Sequence, residues 1–231
     1  MYILGIETST KTGSVAIVSE DGVIAQYSLN IEVTHSERLM ATVDRVLTDT
    51  GFTMADMDGY AVAIGPGSFT GIRIGLSAVK GLALVTGKPI AAVPTLTALA
   101  WNLPFAAYPV CPMLDARKNE VYAATYRFEG SALVYDMAEA VLSLSQLSER
   151  LPDKTLFTGE ASHLFRKEIV NTFGDLALFA PASAILPSAA VVAEIGLDMI
   201  KSGKLTDLDS VTPMYIRRPE AEVMWEKRAH S

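Results

Sequence analysis

Cysteine and histidine are scarce in this chain of 231 residues. Cys111 is the single cysteine, so no disulfide can form within the molecule, as is usual in the reducing cytoplasm, where we expect the protein. The three histidines are His35, His163 and His230. A helical metal site needs a second ligand four residues on, and Leu39 stands at that place after His35. We therefore expect no metal centre built by the protein.

Positive charge is also in short supply. There are 19 lysines and arginines against 26 aspartates and glutamates, which gives a formal charge of −7. Such a chain is repelled as a whole by nucleic acid and by anionic lipid, so any contact with either must be local or supplied by a partner. Arg73, Lys80, Arg217 and Arg218 are candidates for a local basic edge, and ordinary solvated positions explain them equally well.

Long apolar segments free of proline are missing. The two longest stretches without charge, 89–114 and 176–193, are each interrupted by prolines that would open a helix, so we expect no membrane span in them. The first apolar run has no basic residue before it and meets Glu7 at once, so we expect no signal peptide.

The remaining composition is that of a packed globular protein, with half of the residues hydrophobic and 19% charged. Apolar runs and helical periodicity predict the order β-β-β-α-β-α-β-α over the first 105 residues. The predicted strands are 2–6, 14–18, 23–29, 60–64 and 90–93, and the predicted helices are 35–50, 70–85 and 95–102.

A second unit opens in the same way, with strands at 108–114 and 121–128 around a turn at 115–119. We therefore expect two structurally repeated units, 1–105 and 106–231, although the sequence identity between them is too weak to prove a repeat. We assign a C-terminal helix at 188–201 to the second unit. Whether the tail from 207 onward packs back on the first unit is left open.

Two loops are candidates for anion binding. Residues 7–14 leave a strand with a carboxylate and turn back through small hydroxylated residues, which can offer amides and hydroxyls to a phosphate while the carboxylate holds a metal through water. Residues 65–73 join a buried strand to a helix and lack the lysine of a Walker loop. A polar hairpin turn and a tight turn capped by Ser68 or Thr70 explain the same residues without a ligand.

The helix 70–85 carries more apolar surface than one sheet face can cover. Its apolar residues span about 200° of the helical circumference. Gly71, Gly75 and Gly81 are costly inside a helix and predict the close approach of another backbone. A partner protein and neighbouring helices of the same chain both remain open as what covers this surface.

Three segments together closely resemble the bacterial TsaB (YeaZ) family: LGIETS at 4–9, GPGSFTGIRIG at 65–75 and DARKNEVY at 115–122. Residues 35–39 and 213–217 fit that family in place and order. The resemblance implies an actin-like, ribonuclease-H-like (ASKHA) α/β fold of two repeated units, each with a mixed five-stranded sheet flanked by helices.

The resemblance also implies a function. The chain would be a non-catalytic subunit that pairs with the homologous catalytic protein TsaD and acts with the ATPase TsaE. Together they place threonylcarbamoyl on the adenosine beside the anticodon of tRNA, with tRNA bound only through the complex. The catalytic relative holds its metal with two histidines on the helix that corresponds to 35–50, whereas here only His35 is present, so no catalytic residue is assigned.

Family pairing through the helices 35–50 and 70–85 implies the partner contacts, with a homodimer when the partner is absent. The interface residues would be His35, Arg38, Leu39, Thr42, Val43, Gly71, Arg73, Ile74, Gly75, Ala78 and Leu82. By analogy of fold, ATP or ADP with Mg²⁺ would bind around Glu7, Thr8, Ser9, Thr10 and Asp115, although we expect no tightly held cofactor.

Two other functions fit parts of the sequence. The chain is a stand-alone nucleotide-binding phosphotransferase or ATPase if the loop 7–14 binds ATP by itself. It is a metallopeptidase if the purified protein holds a stoichiometric metal ion, which we do not expect.

Overall fold

The computed structural model describes residues 1–30 and 35–217. The first sheet has the order β3-β2-β1-β4-β5. β1 pairs antiparallel with β2 and parallel with β4, so β1 lies at the centre. β1 and β4 are buried along their whole length because helices cover both faces of the sheet. The strands are β1 (Ile3–Glu7), β2 (Gly13–Ser19), β3 (Gly22–Leu29), β4 (Gly59–Ala63) and β5 (Ile90–Val93).

The second sheet repeats this topology. Its order is β10-β9-β6-β7-β8, with β6 antiparallel to β7 and parallel to β9, as β1 is to β2 and β4. Two units of the same strand order follow one another along the chain, as the opening of the second unit predicts. The strands are β6 (Val110–Asp115), β7 (Val121–Glu129), β8 (Ala132–Leu142), β9 (Thr155–Thr158) and β10 (Ala177–Phe179).

Seven helices of five residues or more flank these sheets in the described part of the chain. The first three come from residues 1–105, and their bounds fall within one residue of those predicted from periodicity. Of these three, α3 packs against β6 and β7 of the second sheet. The helices are α1 (His35–Thr50), α2 (Phe69–Thr86), α3 (Thr95–Trp101), α4 (Leu144–Ser148), α5 (Glu160–Leu164), α6 (Arg166–Phe173) and α7 (Ala189–Lys201).

The first sheet is covered on one face by α1 and α2. Leu39, Val43 and Val46 of α1 and Leu76 and Val79 of α2 are buried in one cluster with the side chains of β1, β2 and β4. The apolar stripes found in the sequence therefore pack against the chain's own sheet. Burial of these side chains stabilises the unit by about 1.5–3 kcal/mol for each large aliphatic residue.

The other face of the first sheet is covered by α7, which contacts β1, β2, β4 and β5. This location differs from the assignment of 188–201 to the second unit. A Cβ at Gly5 would collide with the Ala189 carbonyl, and one at Gly196 would collide with Ala61, so small residues on both elements bring helix and sheet unusually close. Chain order alone cannot reveal this return to the first unit.

The described part of the C-terminal tail also lies on the first unit. The Thr206 amide donates to the Ile90 carbonyl at 2.9 Å, and Val211 is buried in the core beneath α1 and α2. The Met214 amide donates to the Ile64 carbonyl at 2.7 Å. Arg218 and the rest of the tail lie outside the described residues.

Candidate functional site: the inter-unit loops and the outer face of α2

The loop between β1 and β2 packs against the turn between β4 and α2. The Ser68 amide donates to the Ser9 carbonyl at 2.6 Å, and Ser68 caps α2 by accepting from the Gly71 amide at 3.2 Å. A Cβ at Gly67 would collide with the Ser9 carbonyl, and Gly67 has φ +150°. The glycine-rich turn thus serves the contact between the two loops and the Ser68 cap.

The helical glycines have separate explanations. The Thr8 hydroxyl donates to the Gly71 carbonyl at 2.7 Å, and a Cβ at Gly75 would collide with Thr8 Oγ1. The close approach predicted at these two positions is therefore made by this chain's own first loop, through a side chain. Around Gly81, no atom of the described residues lies within 4 Å of a Cβ placed on it, so a partner stays open as the backbone expected there.

Glu7 is fully buried at the end of β1. Its Oε1 accepts a hydrogen bond from the Ser9 amide at 2.6 Å and another from the Ser9 hydroxyl, while its buried Oε2 has no hydrogen-bond partner among the described residues. Burial raises the pKa of Glu7 from 4.5 to about 7; the bonds from Ser9 oppose this shift, and the charge of Glu160 adds to it. The carboxyl group is therefore held in an environment that favours its protonated form.

The hydroxyl side chains of the predicted phosphate loop are buried, and those of Ser9 and Thr10 form hydrogen bonds within the loop. Thr8, Ser9, Thr10 and Thr12 are all buried, and the Thr12 amide donates to the Thr10 hydroxyl at 3.2 Å. The Ser9 amide and hydroxyl are both committed to Glu7. A phosphate that used the Ser9 amide and hydroxyl would have to displace Glu7 from them. Binding of ATP or ADP with Mg²⁺ stays a prediction.

The corresponding loop of the second unit is built differently. Arg117, Lys118 and Asn119 all have φ between +55° and +65°, a left-handed turn that is unusual for residues other than glycine. The Arg117 amide donates to Asp115 Oδ1 at 2.8 Å, and the Glu120 amide donates to the Arg117 carbonyl at 3.0 Å. Asp115 thus stabilises the turn on which it stands.

Glu160, the first residue of α5, links the two loops electrostatically. Its pKa is raised first by partial burial and then by the charge of Asp115, while Lys11 and Arg117 lower it. Glu160 in turn raises the pKa of Glu7. Glu160 therefore lies within electrostatic range of Glu7 in the first loop and of Asp115 in the second. Glu160 and Arg117 were not among the predicted site residues, because the fold and not the sequence spacing brings them here.

The predicted partner residues fall into two groups. Leu39, Val43, Gly71 and Gly75 are buried within the chain, so they have little exposed surface to offer a partner. An amphipathic pattern does not distinguish the stripe that faces the chain's own sheet from the stripe that faces a partner. The exposed or half-buried members are Arg38, Thr42, Arg73, Ile74, Ala78 and Leu82, and their partner contacts stay a prediction. The side chain of His35 lies outside what the structure describes.

Other apolar residues on the same two helices are exposed. On α2, Leu84 is 73% exposed, Val85 86% and Phe69 39%, and Met40 of α1 is 49% exposed. We call Met40, Leu84 and Val85, together with Ile74, Ala78 and Gly81, the outer face. Leu84 projects among the polar positions of α2, so the periodicity of the sequence does not mark it as part of the apolar surface. The surplus of apolar surface predicted for α2 is thus present at its C-terminal half.

By length and composition, α2 also qualifies as a candidate membrane span. This is weak evidence, since core helices of soluble proteins pass the same test. One stripe of α2 is buried against the first sheet, and Arg73 and Lys80 lie elsewhere on its circumference. We therefore interpret α2 as a core helix with an apolar outer face. Among residues 1–30 and 35–217, no cluster of three or more histidine, cysteine, aspartate and glutamate side chains is placed to hold a metal ion.

Two mixed five-stranded sheets of shared topology, each flanked by helices, define an actin-like α/β protein, as the sequence predicts. The ethanolamine utilization protein EutJ from Carboxydothermus hydrogenoformans shares this fold with a TM-score of 0.53 over 85% of this chain and 90% of its own, at 14% identity.

Closer relatives identify the family. Residues 23–225 match the family of TsaD, tRNA N6-adenosine threonylcarbamoyltransferase. The tRNA threonylcarbamoyladenosine biosynthesis protein TsaB of Bacillus subtilis is 33% identical over 97% of this chain and 98% of its own length. YeaZ from Pseudomonas aeruginosa superposes with a TM-score of 0.80 at 26% identity, over 93% of this chain and 99% of its own. The chain belongs to the TsaB (YeaZ) family, which confirms the resemblance seen in the three sequence segments.

Proposed function

We propose that this protein is a non-catalytic subunit that binds a TsaD-like homologue through the outer face of α1 and α2. Together with a TsaE-like ATPase, the pair would transfer threonylcarbamoyl to the adenosine beside the anticodon in tRNA. The observation that carries the proposal is the exposed apolar surface on α2, in a chain of the TsaB family. Large apolar patches on soluble proteins mark sites of association.

The length of the two helices and the small residues on α2 suit a protein partner. An interface of about 1,200–2,000 Å² in total is the usual size for a specific complex. The exposed sides of two helices of 16 and 18 residues would form such an interface. Gly81 and Ala78 leave room for a helix to approach closely. The same surface would pair two copies of this chain when the homologue is absent.

The proposed absence of catalysis has support from the loops. Leu39, four residues after His35, is part of the core, and the Glu7 carboxyl group is buried against Ser9. Neither group is presented to a substrate. The net charge of −7 further favours partners as the source of most tRNA phosphate contacts. A cytoplasmic location belongs to the same proposal, since tRNA modification of this kind takes place where tRNA is.

The experiment compares two leucines of similar exposure. Leu84 lies on the outer face, and Leu164, 62% exposed at the end of α5, lies away from it. We expect the unmodified chain and a TsaD-like protein to elute as one heterodimer in size-exclusion chromatography. Leu84→Glu should weaken the complex at least tenfold by calorimetric titration, because it places a charge in an apolar contact.

Leu164→Glu is the matched control and should leave the affinity unchanged. Ala78→Glu is a second variant on the outer face; Gly75→Arg is unsuitable because the side chain would collide with Thr8. Failure of the unmodified chain to form a complex would refute the proposal. Equal weakening of the complex by Leu84→Glu and Leu164→Glu would mean that the interface does not lie on the outer face of α2.

A further inference from the structure

Residues 211–217, which we call the strap, cross from the first unit to the second. Val211 is buried in the core of the first unit. The Met214 amide donates to the Ile64 carbonyl at 2.7 Å, which continues the hydrogen bonding beyond the end of β4. A Cβ at Gly65 would come within 2.8 Å of the Met214 carbonyl, so Gly65 leaves the strap the space to pass. The strap is thus fixed at its start by backbone contacts to the first unit.

The middle of the strap lies on the first turn of α2. The ring of Tyr215 stacks on Phe69 with 5.1 Å between centroids, and its hydroxyl accepts a hydrogen bond from Arg73 Nε at 2.7 Å. The Arg73 guanidinium also lies 3.8 Å from the centroid of the Phe69 ring. Aromatic stacking, a cation over a ring and a hydrogen bond to a charged donor together fix the position of Tyr215.

The end of the strap reaches the second unit. Arg217 Nη1 donates to the Ala116 carbonyl at 2.7 Å, and Nη2 forms an ion pair with Glu120. Ala116 and Glu120 are the two residues that flank the left-handed turn, and the Ala116 amide donates to the Glu120 carbonyl at 3.0 Å. One planar guanidinium therefore holds both ends of the turn at once, a geometry that a lysine cannot reproduce.

We infer that the strap is a latch between the two units, in which Arg217 is the positioning residue that both fixes the second unit against the first and holds residues 117–119 in their left-handed turn. A turn of three non-glycine residues with positive φ is intrinsically disfavoured and persists only where its surroundings hold it. The inference concerns contacts within the chain and does not depend on the proposed function.

Hydrogen exchange on the full chain tests the hold on the turn. In Arg217→Met we expect the amides of Ala116 and Glu120 to exchange at least tenfold faster, while amides of β1 and β4 keep their rates. Arg117→Met is the control: this arginine stands in the same turn, is 83% exposed and lies 3.7 Å from Asp115. Its removal should change exchange by less than threefold. Glu120→Gln removes the ion pair but keeps the hydrogen bond from Arg217 to the Ala116 carbonyl. Exchange in this variant should be faster than in Arg117→Met and slower than in Arg217→Met.

A distance measurement tests the hold between units. Cys111 is buried, and burial raises the pKa of its thiol to about 12, so spin labels would attach to introduced cysteines instead. Labels at Asp21→Cys and Ser131→Cys place one probe on an exposed hairpin turn of each unit. Pulsed dipolar spectroscopy should give one narrow distance distribution. Arg217→Met should broaden this distribution measurably, although α3 stays packed against β6 and β7.

Three outcomes decide the inference. Faster exchange in the turn together with a broadened distance distribution supports the latch. Unchanged exchange in Arg217→Met, or equal acceleration by Arg117→Met, overturns the role of Arg217 in holding the turn. Faster exchange with an unchanged distance distribution overturns the latch between units and reduces Arg217 to a local contact of the loop.

Discussion

The loops after β1 and after β6 occupy the same place in two sheets of the same topology, yet they are built by opposite means. The first loop is buried and rich in hydroxyl side chains, and its polar groups bond to one another and to the turn before α2. The second is largely exposed, charged and left-handed, and Arg217 bridges its two ends. The topology determines where a loop lies, but it does not determine which partners form hydrogen bonds with the backbone groups of that loop.

This difference explains why the repeat is faint in the sequence. The first loop depends on Gly67 and Gly75, which admit Ser9 and Thr8. The second depends on a residue about 100 positions further along the chain. Each unit therefore selects its own residue types at equivalent places, and only the order of strands is shared.

The largest expected effect is on the first loop, through Gly67→Ala. The added Cβ would collide with the Ser9 carbonyl, and φ +150° is unfavourable for alanine. Because the atom in the way is backbone, the loop and the turn must separate. We expect a loss of about 4 kcal/mol in the free energy of unfolding, measured by urea denaturation monitored by circular dichroism.

Gly81→Ala is the matched control, since Gly81 lies in α2 with nothing within 4 Å of the added Cβ. It should raise the free energy of unfolding by about 1 kcal/mol, the usual gain of alanine over glycine in a helix. A destabilisation by both variants would contradict the view that Gly67 is required by a specific collision.

The next effect is the pH dependence caused by Glu7. Its pKa is about 7 in the folded chain against an ordinary value of 4.5, so the folded state binds the proton more tightly. The stabilisation from this group is fully present below pH 4.5 and is lost as the pH rises through 7. The loss is on the order of 3 kcal/mol.

Glu7→Gln should remove this part of the pH dependence, because an amide does not titrate while its oxygen can still accept from Ser9. We would measure the free energy of unfolding at pH 5 and pH 8 for both proteins. The unmodified chain should lose clearly more stability between these values than the variant. An equal loss in both would show that Glu7 is already ionised at pH 5 in the folded state.

The fold was largely predictable from local signals. Alternation and short apolar runs placed the strands of the first unit, and the periodicity of Leu39, Val43 and Val46 placed α1. The position of α7 was not predictable, because its small residues fit the first sheet only once Gly5 and Ala61 lie side by side. A packing surface made of glycine and alanine leaves little trace in a hydrophobicity pattern.

The candidate site was predictable only in part. The segments 7–14 and 65–73 were predicted as candidate anion-binding loops and 115–119 as a turn. Their contacts with each other and with Arg217 depend on distant parts of the chain. The excess of apolar surface on α2 was predictable from the wide arc that its apolar residues cover. Which of these residues are buried in the core and which lie on the outer face was not predictable. Leu39 and Leu84 have the same hydrophobicity, and only the packed sheet determines which one is buried.

The smallest expected effect on stability concerns the left-handed turn of the second loop. Arg117→Gly relieves the cost of a non-glycine residue at φ +65°, and the Arg117 amide that bonds Asp115 is kept. The side chain lost is 83% exposed, so its ion pair with Asp115 contributes little. Glycine also adds conformational freedom to the unfolded chain, which offsets part of this gain. We therefore expect a net stabilisation of about 0.5–1 kcal/mol. Thermal unfolding should show a rise in Tm of a few degrees, and a fall would mean that the arginine side chain itself stabilises the turn.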